Sequence, residues 1–274
     1  MFKNFIADGD AIATKPDTVF VFELKAKDDE PMPDPATVTI TGTGTASFGE
    51  ITFEKSGTYE YTVTELEGTV QGVTYDTTPR NVVVTVAVNS KDELEAHWTW
   101  AVDPEEPSAA SKDTDVKVDN IYEVGKLIIK KTVAGNLGVK TIAFPFKVEF
   151  WDEQGEPITT AFKFSGSRSG TIKSGQTVSL RHGEYIIIEG IPAGTVYRVT
   201  ETNSYHHLVT STGSVGKIVA NKTVGASFLN YRSNVPKTGE TNLLPVTIPA
   251  MGVSGLGMIL SALFGKKRKS RKSK

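Results

Sequence analysis

The sequence predicts an all-β chain: two tandem β-sandwiches followed by a C-terminal membrane-crossing segment. Three observations carry that reading. Apolar and polar residues alternate through most of the chain, while helical periodicity is scarce. A Gly-Thr pair followed by a Tyr-x-Val-Thr-Glu strand occurs twice, as Gly57-Thr58 before Tyr61–Glu65 and as Gly194-Thr195 before Tyr197–Glu201. Near the end, an uncharged apolar run of 22 residues, Leu243 to Phe264, precedes a basic tail.

The strands follow in order. In Thr18–Leu24, Phe20, Phe22 and Leu24 fall on one face. In Thr58–Glu65, Tyr59, Tyr61 and Val63 face one way, with Thr58, Glu60, Thr62 and Thr64 opposite. Val82–Val88 is a β-branched run suited to a central strand. Clusters of Gly, Pro, Asn and Asp at Asp28–Pro35, Gly42–Gly49 and Asp103–Ser108 separate these runs, as in antiparallel sandwiches. Thr41-Gly42-Thr43-Gly44-Thr45 lacks the Lys-Ser/Thr ending of a phosphate loop and reads as a turn. A second copy opens at Lys126–Val133. It continues through Ala143–Phe150, where Phe144, Phe146, Val148 and Phe150 share a face, then Tyr185–Ile188 and Tyr197–Glu201. Val116–Tyr122 is echoed by Ala226–Tyr231. The expected domains are 1–123, 124–232 and a terminal segment, 233–274.

Composition narrows the function. Seven of the 30 Lys+Arg and one of the 32 Asp+Glu lie beyond Thr238, which leaves 23 against 31, about −8 on residues 1–238. Such an acidic exterior argues against nucleic acid as a partner. With no cysteine, an exported chain must gain toughness from something other than disulfides. The histidines (His97, His182, His206, His207) have no metal-ligand spacing, and the His206-His207 pair reads as a solvated loop, so no metal and no cofactor is expected. Trp98 and Trp100 share a face and read as core or edge packing, although an exposed pair could bind sugar. No nucleophile–base constellation of an enzyme appears. Met1–Phe5 begins at once in strand-like sequence, so a leader is expected upstream.

Period-2 alternation aims three polar residues per copy at the core. Glu65 shares the face of Tyr61 and Val63, and Glu201 that of Tyr197 and Val199. Asn120 falls with Val116 and Val118, and Asn230 with Ala226 and Phe228. Lys3 lies between Met1 and Phe5, and Lys131 lies with Leu127 and Ile129. Lys130 becomes the rival if the register slips by one. Isolated buried charges cost several kcal/mol, so such groups should be paired or neutral. A free amine beside a carboxylic acid can attack the Asn side-chain carbonyl while the Glu polarises that carbonyl and moves protons. Ammonia leaves and a Lys–Asn isopeptide bond remains.

These residues resemble the major (backbone) pilins of Gram-positive bacteria, especially streptococcal isopeptide-linkage pilins with immunoglobulin-like, collagen-adhesin B-type domains. The resemblance implies a Lys3–Asn120 bond with Glu65 as the acid and a Lys131–Asn230 bond with Glu201. By analogy with a disulfide closing ~100 residues, each link stabilises by roughly 4–5 kcal/mol.

The C-terminus carries a second resemblance. Val235-Pro236-Lys237-Thr238-Gly239, the apolar run 243–264 and the basic end from Lys266 are similar to a Gram-positive cell-wall sorting signal of the Leu-Pro-x-Thr-Gly type, with Val235 where Leu is commoner. At 1.5 Å per residue the run can cross a ~30 Å hydrocarbon core, and its basic end stays cytoplasmic. The resemblance implies that a sortase cleaves after Thr238 and passes the Thr238 carbonyl to an amine. A shaft subunit needs an exposed lysine to receive it. In similar pilins that lysine stands shortly before the last strand of the first domain, which points to Lys112, with Lys117 as the alternative. The implied function is a structural subunit of a cell-surface pilus shaft, not an enzyme. Its implied partners are sortase, identical subunits and peptidoglycan, with ancillary pilins and host receptors open. The alternative is an ancillary pilin or wall-anchored adhesin stalk.

Overall fold

Alternation along the sequence becomes alternation in burial. In β2 (Val19–Ala26), Phe20, Phe22 and Leu24 are buried while Val19 is exposed. A computed structural model of the protein describes residues 2–7, 15–101, 110–111 and 117–234. Among these residues every regular element is a β-strand. The chain divides into two units, 1–124 and 125–274.

The first unit holds β1 (Phe2–Ala7), β2, β3 (Thr37–Thr41), β4 (Gly44–Thr45), β5 (Gly57–Glu65), β6 (Val73–Thr74), β7 (Arg80–Val88), β8 (Leu94–Ala101), β9 (Ala110–Ser111) and β10 (Lys117–Tyr122). A sheet ordered β4-β1-β10-β6 faces one ordered β3-β2-β5-β7-β8-β9. Phe5, Val118 and Tyr122 from the first meet Phe20, Phe22, Tyr61, Val63 and Val84 from the second in one core. β7 is an interior strand, yet only Val84 and Val86 of its valine run are buried, and Val88 is 56 % exposed. The tryptophans divide in the same way: Trp100 is buried, whereas Trp98 is 52 % exposed over an apolar cavity of about 370 Å³.

In the second unit, β11 (Val124–Ala134), β13 (Phe162–Gly166), β14 (Gly170–Ile172), β16 (Tyr185–Pro192), β18 (Leu208–Thr212) and β20 (Thr223–Tyr231) form a sheet ordered β14-β13-β16-β11-β20-β18. The facing sheet is β15-β12-β17-β19, built from β12 (Phe144–Trp151), β15 (Thr177–Leu180), β17 (Val196–Glu201) and β19 (Val215–Lys217). Phe144, Phe146, Val148 and Phe150 of β12 project inward as the alternation requires. Two short strands separate Glu201 from the last strand, where four separate Glu65 from β10. That difference accounts for the shorter spacing in the second copy.

One expectation needs correction. The sheets are not wholly antiparallel, because β1 runs parallel to β10 and β11 runs parallel to β20. Parallel neighbours cannot be joined by a tight turn, so the rest of each unit forms the crossover between them. Each unit therefore closes by laying its opening and closing strands side by side.

Core packing gives a direct test. Phe150 is fully buried and its ring meets Phe162 edge-on at 5.1 Å. Phe150→Ala should cost ~3–5 kcal/mol and shift the second unit's urea transition downward. An unmoved transition would contradict this packing.

Candidate functional site

The first cluster is set by strand parity. In β1, Lys3 and Phe5 point inward while Phe2, Asn4 and Ile6 do not, so the lysine is 0 % exposed. β10 places Val118, Asn120 and Tyr122 on the same inner side. The parallel register sets Lys3 opposite Val118, leaving Asn120 two residues further along the neighbouring strand. Glu65 comes from the end of β5 in the facing sheet, also buried. Lys3 Nζ stands 3.3 Å from Glu65 Oε2 and 4.4 Å above the Phe20 ring, and it donates to the Val118 carbonyl at 3.3 Å. Asn120 Nδ2 donates to Glu65 Oε1. Asn120 Oδ1 accepts the backbone N–H of Asp76 at 2.8 Å.

The second cluster repeats the plan. Lys131 on β11 and Asn230 on β20 lie on adjacent parallel strands, with Lys131 opposite Phe228. Glu201 reaches in from β17 of the facing sheet. Lys131 Nζ donates to Glu201 Oε2 at 2.9 Å, Asn230 Nδ2 donates to Glu201 Oε1, and the Phe144 ring lies 4.2 Å from Nζ. Lys130 is exposed, so the register selects Lys131.

Burial dominates the electrostatics. It pushes Lys3 and Lys131 below the ordinary lysine range, against the opposing pull of Glu65 and Glu201. It pushes Glu65 up, although Asn120 and Lys3 act the other way. Both shifts in the first cluster favour a neutral amine beside a neutral acid, the state in which Nζ carries a lone pair. The amide of Asn120 divides its contacts between two partners. Its nitrogen donates to Glu65, and its carbonyl oxygen accepts the Asp76 N–H.

Asp76 was not singled out from sequence. Its carboxyl is raised by burial, but hydrogen bonds from Arg80 and Thr78 outweigh that and hold it down at about 2. Asp76-x-Thr78 with Arg80 four positions on marks a turn, and nothing in that pattern shows that its N–H meets Asn120. His207 is another correction: it is buried, not solvated, with Nδ1 2.8 Å from the Ser204 carbonyl and its ring edge-on to Phe144. Lys117 is exposed at the start of β10. Lys112, the Val235–Gly239 motif and the run 243–264 lie outside the described residues. Among the described residues no helix is long and apolar enough to cross a membrane.

Fold and site together define a class: tandem β-sandwiches, each holding a buried Lys–Glu–Asn cluster between its first and last strands. Residues 3–123 match the family described as Spy0128-like isopeptide containing domain, and residues 125–232 match a domain of unknown function, DUF7601. The chain is 27 % identical over 245 residues to a pilin of Streptococcus pyogenes serotype M1, covering 81 % of this chain and 71 % of that one. It is 29 % identical over 122 residues to the pilus tip adhesin Cpa of Streptococcus pyogenes, covering 42 % of this chain but 18 % of the adhesin. The crystal structure of the major pilin from Streptococcus pyogenes shares the fold, with a TM-score of 0.63 at 22 % identity over 85 % of this chain and 98 % of that one. The major pilin T3.2 from the same species aligns with a TM-score of 0.57 at 18 % identity, over 85 % and 96 %. The likeness to streptococcal major pilins suggested by the sequence motifs is shown by these matches.

Proton counting predicts a pH signature for chains in which no bond has formed. Whether the proton sits on the amine or on the acid, the folded Lys3–Glu65 pair holds one, as do the ammonium and carboxylate of the unfolded state, so stability is level near neutrality. In Glu65→Gln the lysine is alone, with a folded pKa below its ordinary 10.5. Above that folded pKa, and up to 10.5, the unfolded state binds one proton more, so stability should rise with pH through that window. Urea midpoints between about pH 7 and pH 10 should climb for Glu65→Gln and stay level for Asn120→Ala, which keeps both groups. Equal slopes would show that the two groups are not coupled.

Proposed function

We propose that this chain is a structural subunit of a covalently assembled cell-surface pilus whose two units each seal themselves with a Lys–Asn isopeptide bond. The observation that carries this reading is the twofold occurrence of a buried Lys and a buried Asn that both contact one buried Glu carboxyl, with Lys and Asn on the opening and closing strands. The neutral amine attacks Asn Cγ, the Nζ–Cγ bond forms, the Cγ–Nδ2 bond breaks and ammonia departs. The Glu carboxyl lies between the attacking and leaving nitrogens. It collects a proton from the first and delivers one to the second, ending as it began. Contact within a dry core supplies most of the acceleration. The reaction runs once per unit, so it matures the protein without turnover.

Assembly follows from the C-terminal segment. Sortase cleaves between Thr238 and Gly239 and passes the Thr238 carbonyl to Lys112 of the next subunit, with Lys117 as the second candidate. The 243–264 run holds the chain in the membrane, with its basic tail inside, until that cleavage. The product is cell-surface fibre, ending on peptidoglycan. The match to a tip adhesin favours one other reading, a stalk in an ancillary pilin, in which no lysine accepts a neighbour.

Intact mass of the recombinant chain should show the loss of two ammonias, and of one in each of Glu65→Ala and Glu201→Ala. Free side chains at Lys131 and Asn230 in folded protein would sink the bonding reading. On cell walls, a detergent-resistant ladder of multimers that disappears in Lys112→Arg supports the shaft, whereas a single band supports the stalk.

A further inference from the structure

The two clusters share three residue types yet differ in two contacts. Glu201 Oε2 accepts a hydrogen bond from Lys131, whereas Glu65 Oε2 only stands 3.3 Å from Lys3 Nζ, and the two asparagine carbonyl oxygens are held differently. Asn120 Oδ1 accepts the Asp76 N–H, whereas Asn230 Oδ1 is buried and accepts nothing among the described residues. A backbone N–H can only donate, so it turns the carbonyl oxygen of Asn120 toward itself and leaves Nδ2 facing Glu65.

The local fold explains the difference. β6 pairs with β10 only through Thr74 opposite Ile121 and Val73 opposite Tyr122. The chain then leaves the ladder, and the next N–H but one, that of Asp76, is free to meet a side chain. Arg80 holds this turn, donating to Asp76 Oδ2 at 2.5 Å and Oδ1 at 3.2 Å, and to the Lys117 carbonyl of β10 at 3.4 Å. In the second unit the neighbour of β20 is β18, whose ladder continues past Asn230 from Leu208 opposite Tyr231 to Thr212 opposite Ser227. Its backbone stays engaged with the strand.

Attack by Nζ moves the carbonyl π pair onto Oδ1, and that charge must be held until the Cγ–Nδ2 bond breaks. A fixed donor in a water-excluded site is suited to this. We infer that the backbone N–H of Asp76 is the oxyanion donor for the Lys3–Asn120 bond, and that the Lys131–Asn230 bond closes more slowly for lack of an equivalent. This rests on the bond-forming reading above and adds a catalytic group to it.

The test starts from the full chain isolated unfolded from inclusion bodies, its mass confirming that no ammonia has been lost. As it folds on dilution from urea, samples are quenched and digested and the two linked peptides quantified by mass. In the unaltered chain Lys3–Asn120 should form ahead of Lys131–Asn230. Asp76→Pro deletes the N–H and should slow the first bond on the order of 10²-fold while leaving the second unchanged. Asp76→Asn keeps the N–H and should leave the first bond close to its original rate. A first bond forming at the unaltered rate in Asp76→Pro overturns the inference. So does a second bond that outpaces the first in the unaltered chain, a comparison that holds whether or not the proline variant folds. Absence of both linked peptides from the unaltered chain would instead overturn the bond-forming reading, and this inference with it.

Discussion

The strands that open and close each unit lie side by side and point the same way, and the chemistry proposed for the protein depends on that pairing. Because they are parallel, tension applied at the two ends of a unit pulls one strand past the other in shear. Hydrogen bonds resist such a load only together, and each contributes about 1 kcal/mol net. A covalent link from Lys3 to Asn120, or from Lys131 to Asn230, would take the load directly and spare the rest of the sandwich. The pairing also makes the link possible, since it sets a lysine and an asparagine from distant parts of the sequence on neighbouring strands, two positions apart.

Burying a lysine and a glutamate in a β-sandwich core is costly, and removing one partner from such a pair typically costs 3–5 kcal/mol because the other charge is left alone. Here the cost and the chemistry have one origin. The dry environment that destabilises the ion pair, with Phe20 against Lys3 and Phe144 against Lys131, also depresses both amines toward the nucleophilic form. Formation of an amide would remove both the lysine's ionisable group and the asparagine's leaving group from the core. The strained starting state would thus be replaced by one with nothing left to titrate except the glutamate. A protein without cysteine can obtain a permanent cross-link in this way from ordinary side chains.

Much of this was legible in the residue pattern. Lys3, Glu65, Asn120, Lys131, Glu201 and Asn230 all stand in runs whose period-2 alternation puts them with buried neighbours, and the structure buries each of those side chains. The faces were readable because a strand offers only two, and one apolar neighbour on either side decides between them. The valines of β7 were less informative. A β-branched run suits an interior strand, but whether both faces are covered depends on the partner sheet, and much of β7 has no such cover. The burial of His207 is likewise invisible in the His206-His207 spacing, since it depends on a loop that packs against Phe144.

By itself the sequence determined the β class, the duplication and the identity of the polar residues that face each core, because these depend on spacing along a single strand. Tertiary structure alone decided that the first and last strands are parallel neighbours, that the glutamate comes from the opposite sheet, and that the Asp76 N–H meets Asn120. Those are relations between segments 44 to 115 residues apart. No local period encodes them, since they arise only when two sheets close around a common core.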